Sequence, residues 1–272
     1  MKKTLLAILT LLLVTACGTK TPDAPEGKTL YKVGVHGGDS LLAWREVVRI
    51  LKEEEGVDLE IVTFGQYPEP NAALNSNEID LNAFQHHLYL EQEIADFKYD
   101  IAPIADTYIA PMGAYSATYK SLDEVKDGDK VLIPDDVTNG GRALNLLAAN
   151  GLIELTNEAN TIPSVKDVVN PRNLEIIQIE AANVPGSLDE VNFAVINSGI
   201  AVDAKLDPKA TLFIEQVDLN NKEPFKQYIN LIAVRTADLE DPILKKIVEI
   251  YHTDAIAELV DQDSNGANIP VW

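Results

Sequence analysis

Apolar and polar positions follow two rhythms along this chain. YKVGV (31–35) and LEIVTF (59–64) are short β-rich runs, whereas Leu41, Trp44, Val47, Val48 and Leu51 recur at three- and four-residue spacing, the period of an amphipathic helix. Ser40 opens that helix and Gly56 ends it. PNAAL (70–74) reads as a short helix and HHLYLEQEIADF (86–97) as another. The order strand, helix, strand, helix predicts a parallel sheet with helices on its faces.

A second set of units follows. Ser-Leu-Asp-Glu-Val occurs at 121–125 and again at 187–191, each copy with Ser and Glu in the capping-box relation that starts a helix. Each precedes a buried-looking strand, VLIP (131–134) and FAVIN (193–197). YINLIAVR (228–235) is a further apolar strand, and Asp241 with Pro242 supplies an N-cap and first-turn proline for a helix to about Tyr251. No low-complexity linker divides the chain after residue 30. Two lobes joined by strands that cross between them fit this pattern better than two independent domains.

The amino terminus has a different character. MKK is followed by a mostly apolar run from Thr4 to Ala16 and then by Cys17, the layout of an export signal that is too short to span a bilayer comfortably. Cys17 is the only cysteine, which excludes an internal disulfide. Val14-Thr15-Ala16-Cys17 resembles the bacterial lipobox, in which the cysteine is lipidated after cleavage before it. Residues 1–16 are thus expected to be a signal peptide and residues 17–30, rich in Pro and Gly, a lipid-anchored flexible tether. The expected location is the extracytoplasmic face of the cell membrane, with palmitate among the anchoring chains.

Composition narrows the partners. The 272 residues are 46% hydrophobic and 24% charged, and 22 basic against 43 acidic residues give a formal charge of -21. The length can bury a sizeable core, and the surface would repel phosphate backbones, so nucleic acid is a poor partner.

The most informative loop for chemistry is IPDDVTNGGRAL (133–144). It leaves a strand, passes Thr138-Asn139-Gly140-Gly141 and is expected to enter a helix with Arg142 in its first turn, where unpaired N–H groups and a guanidinium suit a small anion. A nucleotide P-loop would need Lys and Ser or Thr after the glycines, and Arg142-Ala143 stands there. The competing reading is a tight turn with a surface arginine.

Asn197 follows the apolar FAVI at the carboxyl end of a strand, where ligands bind in open α/β sheets. Asn230 sits inside an apolar strand, where its amide needs partners. Either amide can simply satisfy the backbone; with Arg142 they would suit the ammonium and carboxylate of an amino acid. Tyr67, Phe84 and Tyr89 are core aromatics or one apolar pocket at a sheet edge. His86 and His87 are adjacent and point about 100° apart on a helix, a poor start for a metal site, which needs at least three convergent ligands.

Taken together, VTFGQYPEPNAAL, IDLNAFQHHLYL, PDDVTNGGRALNLL, FAVINSGIA and YINLIAVR, in that order behind the lipobox, resemble the methionine-binding lipoproteins of bacterial ABC importers, the NlpA or MetQ lipoproteins. The resemblance runs through Trp272. It implies an α/β, two-lobed periplasmic-binding-protein fold (type II-like), each lobe a mostly parallel sheet flanked by helices. It places one lobe at 31–112 and 224–272 and the other at 113–223. It implies that Tyr67, Phe84, His86 and Tyr89 line a side-chain pocket, that Arg142 holds a carboxylate, and that Asn197 and Asn230 bind the polar end, with Asn139 helping at the helix start.

The chain would capture an amino acid, methionine above all, and deliver it to an ABC transporter permease with its ATPase subunit, with no cofactor, metal or enzymatic activity of its own. The segment His36–Trp44 departs from the family pattern and would place His36 near the cleft. Two alternatives remain open: a secreted metal-dependent hydrolase using His86 or His87 with acidic ligands, and a surface adhesin without a small-molecule ligand.

Overall fold

The computed structural model describes residues 28–37, 41–159, 161–218, 220–221 and 223–272. The signal segment, Cys17, most of the tether and Ser40 lie outside the described residues. The chain begins with β1 (Leu30–His36), α1 (Leu41–Glu55), β2 (Asp58–Phe64), α2 (Pro68–Asn75), β3 (Leu81–His86), α3 (His87–Phe97) and β4 (Ile101–Ile109). It continues through β5 (Gly113–Tyr115), β6 (Lys130–Pro134), α4 (Val137–Ala149), β7 (Glu154–Leu155), β8 (Val168–Val169), β9 (Glu175–Ile179), β10 (Phe193–Ile196), α5 (Ser198–Asp203) and β11 (Phe213–Ile214). Last come β12 (Ile229–Arg235), α6 (Pro242–Tyr251), α7 (Asp254–Asp263) and β13 (Ile269–Pro270). No helix among the described residues is long and apolar enough to cross a membrane.

Two sheets organise these elements. One has the order β13-β4-β12-β3-β1-β2 and the other β11-β5-β10-β6-β9. In the first, α1, α6 and α7 bury Trp44, Val47, Leu51, Ile247, Tyr251 and Val260 against one face, while Leu74 of α2 and Leu90 of α3 cover the other. Successive residues of β12 serve opposite faces, Ile232 and Val234 toward the first group, Leu231 and Ala233 toward the second. A strand covered on both sides reads as an unbroken apolar run, which is why YINLIAVR was legible. In the second sheet, α4 packs Leu144 and Leu147 on Val131, Ile133, Phe193 and Val195, and Leu132, Ala194 and Ile196 face the opposite way with Ile200 of α5.

Each sheet is mixed, with most of its strands running the same way. β1, β2 and β3 pair in parallel, but β12 runs antiparallel between β3 and β4; β6, β9 and β10 are parallel, but β5 pairs antiparallel with β10. Of the reversed strands, β5 and β12 follow the chain's two passages between sheets, at 110–112 and 215–228, while β13 pairs antiparallel with β4 at the sheet edge. A strand arriving from the other sheet has no helix to carry it back to the starting edge, so it enters antiparallel.

Several strands escape the periodicity reading, β3, β4 and β9 (Glu175–Ile179) among them. β3 buries Asn82 and Gln85 along with its apolar residues, and β4 carries Pro103 and Asp106 next to register shifts in its pairing. The repeated pentapeptide also diverges. At Ser121 the capping box forms but starts only a 3₁₀ turn, Leu122–Glu124. At 187–191 there is no cap, because Pro185 has already begun the 3₁₀ segment Pro185–Glu190 and leaves Ser187 inside it.

Candidate functional site

The space between the sheets is walled at one end by aromatics. Tyr67 immediately precedes α2, Phe84 lies on β3 and Tyr89 in the first turn of α3. Their ring centroids are 5.9 to 6.1 Å apart, within the range of favourable tilted and edge-to-face contacts. His36 packs on Tyr67 with centroids 5.0 Å apart, and its ring nitrogens lie 3.1 Å from the Gly37 carbonyl and 3.3 Å from that of Gly65.

His86 is the N-cap of α3. Its Nδ1 accepts the Tyr89 amide at 3.0 Å and its Nε2 lies 3.3 Å from Asn139 Oδ1. Burial, with the Arg142 charge adding to it, pushes the imidazole down to about 3, so it is neutral at physiological pH. His87 turns away, its Nε2 2.6 Å from Asp106 Oδ1. Among the described residues no group of three or more His, Cys, Asp or Glu side chains is arranged to hold a metal.

The polar end differs from the sequence expectation. Asp136 caps α4 by accepting the Asn139 amide at 2.8 Å, and the helix begins at Val137. Arg142 therefore falls in the second turn. Gly140 and Gly141 are inside the helix and make room for protein, not ligand. A Cβ on Gly140 would meet the Pro134 carbonyl oxygen at 2.8 Å, and one on Gly141 would meet Ile162 Cγ2 at 2.3 Å and the Pro163 carbonyl oxygen at 2.9 Å.

Arg142 is 3% exposed, which contradicts a surface arginine, and it is held on three sides. Its Nε donates to Glu215 Oε1 at 2.7 Å and its Nη2 to Glu215 Oε2 at 2.5 Å and to the Ala110 carbonyl at 2.9 Å. Tyr228 stacks on it, with Cζ 4.3 Å from the ring centroid. Glu215 Oε2 also accepts the Met112 amide at 2.8 Å. Sequence reasoning missed Glu215, Tyr228 and Ala110. Glu215 lies 73 residues from Arg142 in an unremarkable FIEQV run, and only the return of the chain between sheets brings it there.

Asn197 precedes α5 and donates through Nδ2 to Asn139 Oδ1 at 2.7 Å, while its own Oδ1 is buried with no partner. Asn230 on β12 donates to the Tyr108 carbonyl at 3.3 Å. Ser198, beside them, donates to Asn268 Oδ1 at 3.0 Å.

Tyr67, Phe84, His86, Tyr89, Asn139, Arg142, Asn197 and Asn230 all line one cavity. Its chemistry is segregated: rings at one end, and at the other a buried cation and an unanswered carbonyl acceptor. An unpaired buried acceptor costs roughly 1 to 3 kcal/mol, so a ligand that donates there recovers free energy.

Known proteins resemble this chain in sequence and fold. The D-methionine-binding lipoprotein MetQ of Salmonella typhi is 37% identical over 270 residues, 98% of this chain and 96% of that one. The structure of a nutrient-binding protein from Burkholderia cenocepacia bound to methionine superposes with a TM-score of 0.83 at 36% identity, covering 89% of this chain and all of that one. The substrate-binding protein of a methionine transporter from Streptococcus pneumoniae gives a TM-score of 0.83 at 33% identity over 90% and 96% of the two chains. These are two-lobed periplasmic-binding-protein folds, as is this α/β chain. The family model for NlpA lipoproteins matches residues 31–272, and the chain belongs to that family.

Proposed function

We propose that this protein is a lipid-anchored, extracytoplasmic solute-binding protein that captures methionine and hands it to an ABC transporter permease driven by an ATPase subunit. The observation that carries the reading is the segregated cavity. A thioether packs well on aromatic faces, and an α-carboxylate and ammonium need a cation and carbonyl acceptors once water is excluded. In this reading Tyr67, Phe84, His86 and Tyr89 enclose the side chain, Arg142 meets the carboxylate, and Asn197 and Asn230 meet the polar end. Residues 31–112 and 224–272 would move as one lobe and 113–223 as the other, with ligand favouring the closed arrangement. Cys17 would carry the lipid.

The binding reading also fits the cavity better than hydrolysis does. Ser198 donates its hydroxyl to an amide instead of to a base, and His86 spends Nδ1 on a helix cap, so no nucleophile and base meet there.

Calorimetric titration of the purified protein, unfolded and refolded to strip bound ligand, against L-methionine, D-methionine and other amino acids tests this. One-to-one methionine binding is expected, and Arg142→Ala should weaken it by roughly 2 to 5 kcal/mol. A folded protein that binds no amino acid would overturn the reading. The adhesin alternative predicts no response to Arg142→Ala, and the hydrolase alternative predicts a chelator-sensitive activity.

A further inference from the structure

The polar end of the cavity contains a chain of side chains whose donors and acceptors are fixed from outside. A backbone amide can only donate, so the Tyr89 N–H at 3.0 Å from His86 Nδ1 leaves neutral His86 with its proton on Nε2. That Nε2 lies 3.3 Å from Asn139, and the atom it faces must accept. On its other side Asn139 lies 3.1 Å from each carboxylate oxygen of Asp136, and the atom there must donate. Both neighbours demand the same orientation, oxygen toward His86 and nitrogen toward Asp136. Asn197 inherits it. Its atom 2.7 Å from Asn139 Oδ1 must be the nitrogen, which leaves Asn197 Oδ1 as the buried, unpartnered atom of a residue on the cavity wall.

Asp136 is not itself among the residues that line the cavity. It is nonetheless the charged end of the chain, anchored by Thr138 Oγ1 at 2.9 Å and by the Asn139 amide at 2.8 Å. We propose that Asp136 is a specificity-determining positioning residue. Acting through Asn139, it holds the Asn197 amide oxygen-outward, so the site accepts an α-substituent that donates hydrogen bonds and rejects one that only accepts. The inference rests on the methionine reading and deepens it: the selected group is the α-ammonium, and the rejected one the keto oxygen of the matching 2-oxo acid. Asn139 is thereby reassigned, because its amide is used up within the protein and it orients a ligand contact instead of making one.

The test titrates the purified protein with L-methionine and with 4-(methylthio)-2-oxobutanoate. The unaltered protein should prefer methionine by about two orders of magnitude or more, since a site built for a donor leaves groups unpaired against an acceptor. Asp136→Ser keeps an N-cap oxygen for α4 but is too short to reach the Asn139 side chain, and should shrink the preference about tenfold, mainly by weakening methionine. Asp136→Asn retains one oxygen that accepts from Asn139 and should stay within about threefold of the unaltered preference. A folded Asp136→Ser protein with the full preference overturns the proposal.

Should that variant not fold, neutron diffraction of the unaltered protein decides the matter. Deuterium on the Asn197 atom facing Asn139 supports the relay, and deuterium on the other atom refutes it. A protein that binds neither compound would sink the methionine reading, while the neutron map would still judge the relay by itself.

Discussion

A guanidinium with 2% of its side chain exposed must be answered by a negative charge, and Glu215, itself 10% exposed, supplies it to Arg142. Removing one partner of such a pair leaves a buried uncompensated charge. Glu215→Gln is therefore expected to destabilise the ligand-free protein by about 3 to 5 kcal/mol, read as a fall in the denaturant midpoint at unchanged slope. Because a ligand carboxylate would then be the main compensation for Arg142, methionine should raise the thermal midpoint of this variant by more than it raises that of the unaltered protein. An equal or smaller rise would mean that Glu215 serves chiefly to aim the arginine.

At this scale the site was half legible. Arg142, Asn197 and Asn230 stood out because polar residues beside apolar runs are costly without a role. Glu215 and Asp136 did not, since an acidic residue in a chain of charge -21 carries no local signal.

Among the elements, α4 is where sequence reasoning was most misled. Two adjacent glycines look like a loop, since glycine costs a helix about 1 kcal/mol relative to alanine, yet here they lie within the helix. Packing explains them. The helix approaches the 162–163 segment so closely that a Cβ on Gly141 would sit 2.9 Å from a backbone oxygen that cannot swing aside.

Gly141→Ala is accordingly expected to destabilise the protein despite the better helix propensity, by a net of about 1 to 2 kcal/mol once overpacking is set against the propensity gain. Thermal unfolding measures this, and a stabilised variant would show that the 162–163 segment yields. By contrast, α1, β12 and α6 were read correctly from pattern alone. Their apolar patterns are strong, with Asn230 the one polar break in β12's buried run, and Asp241 does cap α6, accepting the Ile243 amide at 2.7 Å. β3 and β4 were not, because buried amides and a proline interrupt the alternation on which strand reading depends.

For the molecule as a whole, two buried side chains titrate with opposite effects on stability. His86, neutral and enclosed between lobes, has a depressed pKa. The unfolded chain binds the extra proton between about 6.5 and about 3. Its contribution to stability is thus present above 6.5 and lost as pH falls through that window. Glu93 of α3 has the opposite sign.

Its carboxyl is 8% exposed, with Oε2 unpartnered. Burial raises its pKa above 4.5, Asp96 and Asp136 raise it further, and hydrogen bonds from Asn71 and Tyr89 oppose the shift. Asp136, the N-cap of α4, is itself shifted up by burial. For Glu93 the folded state binds more protons than the unfolded one. Its favourable contribution is complete below 4.5 and disappears as pH rises through the elevated folded value.

Glu93→Gln removes the charge and keeps the shape, so it should stabilise the protein at neutral pH, with the advantage shrinking to nothing as pH falls to 4.5. Taking the difference from the unaltered protein at each pH cancels the His86 contribution, which both share. A difference that grows on acidification would mean that Glu93 is held ionised in the folded protein.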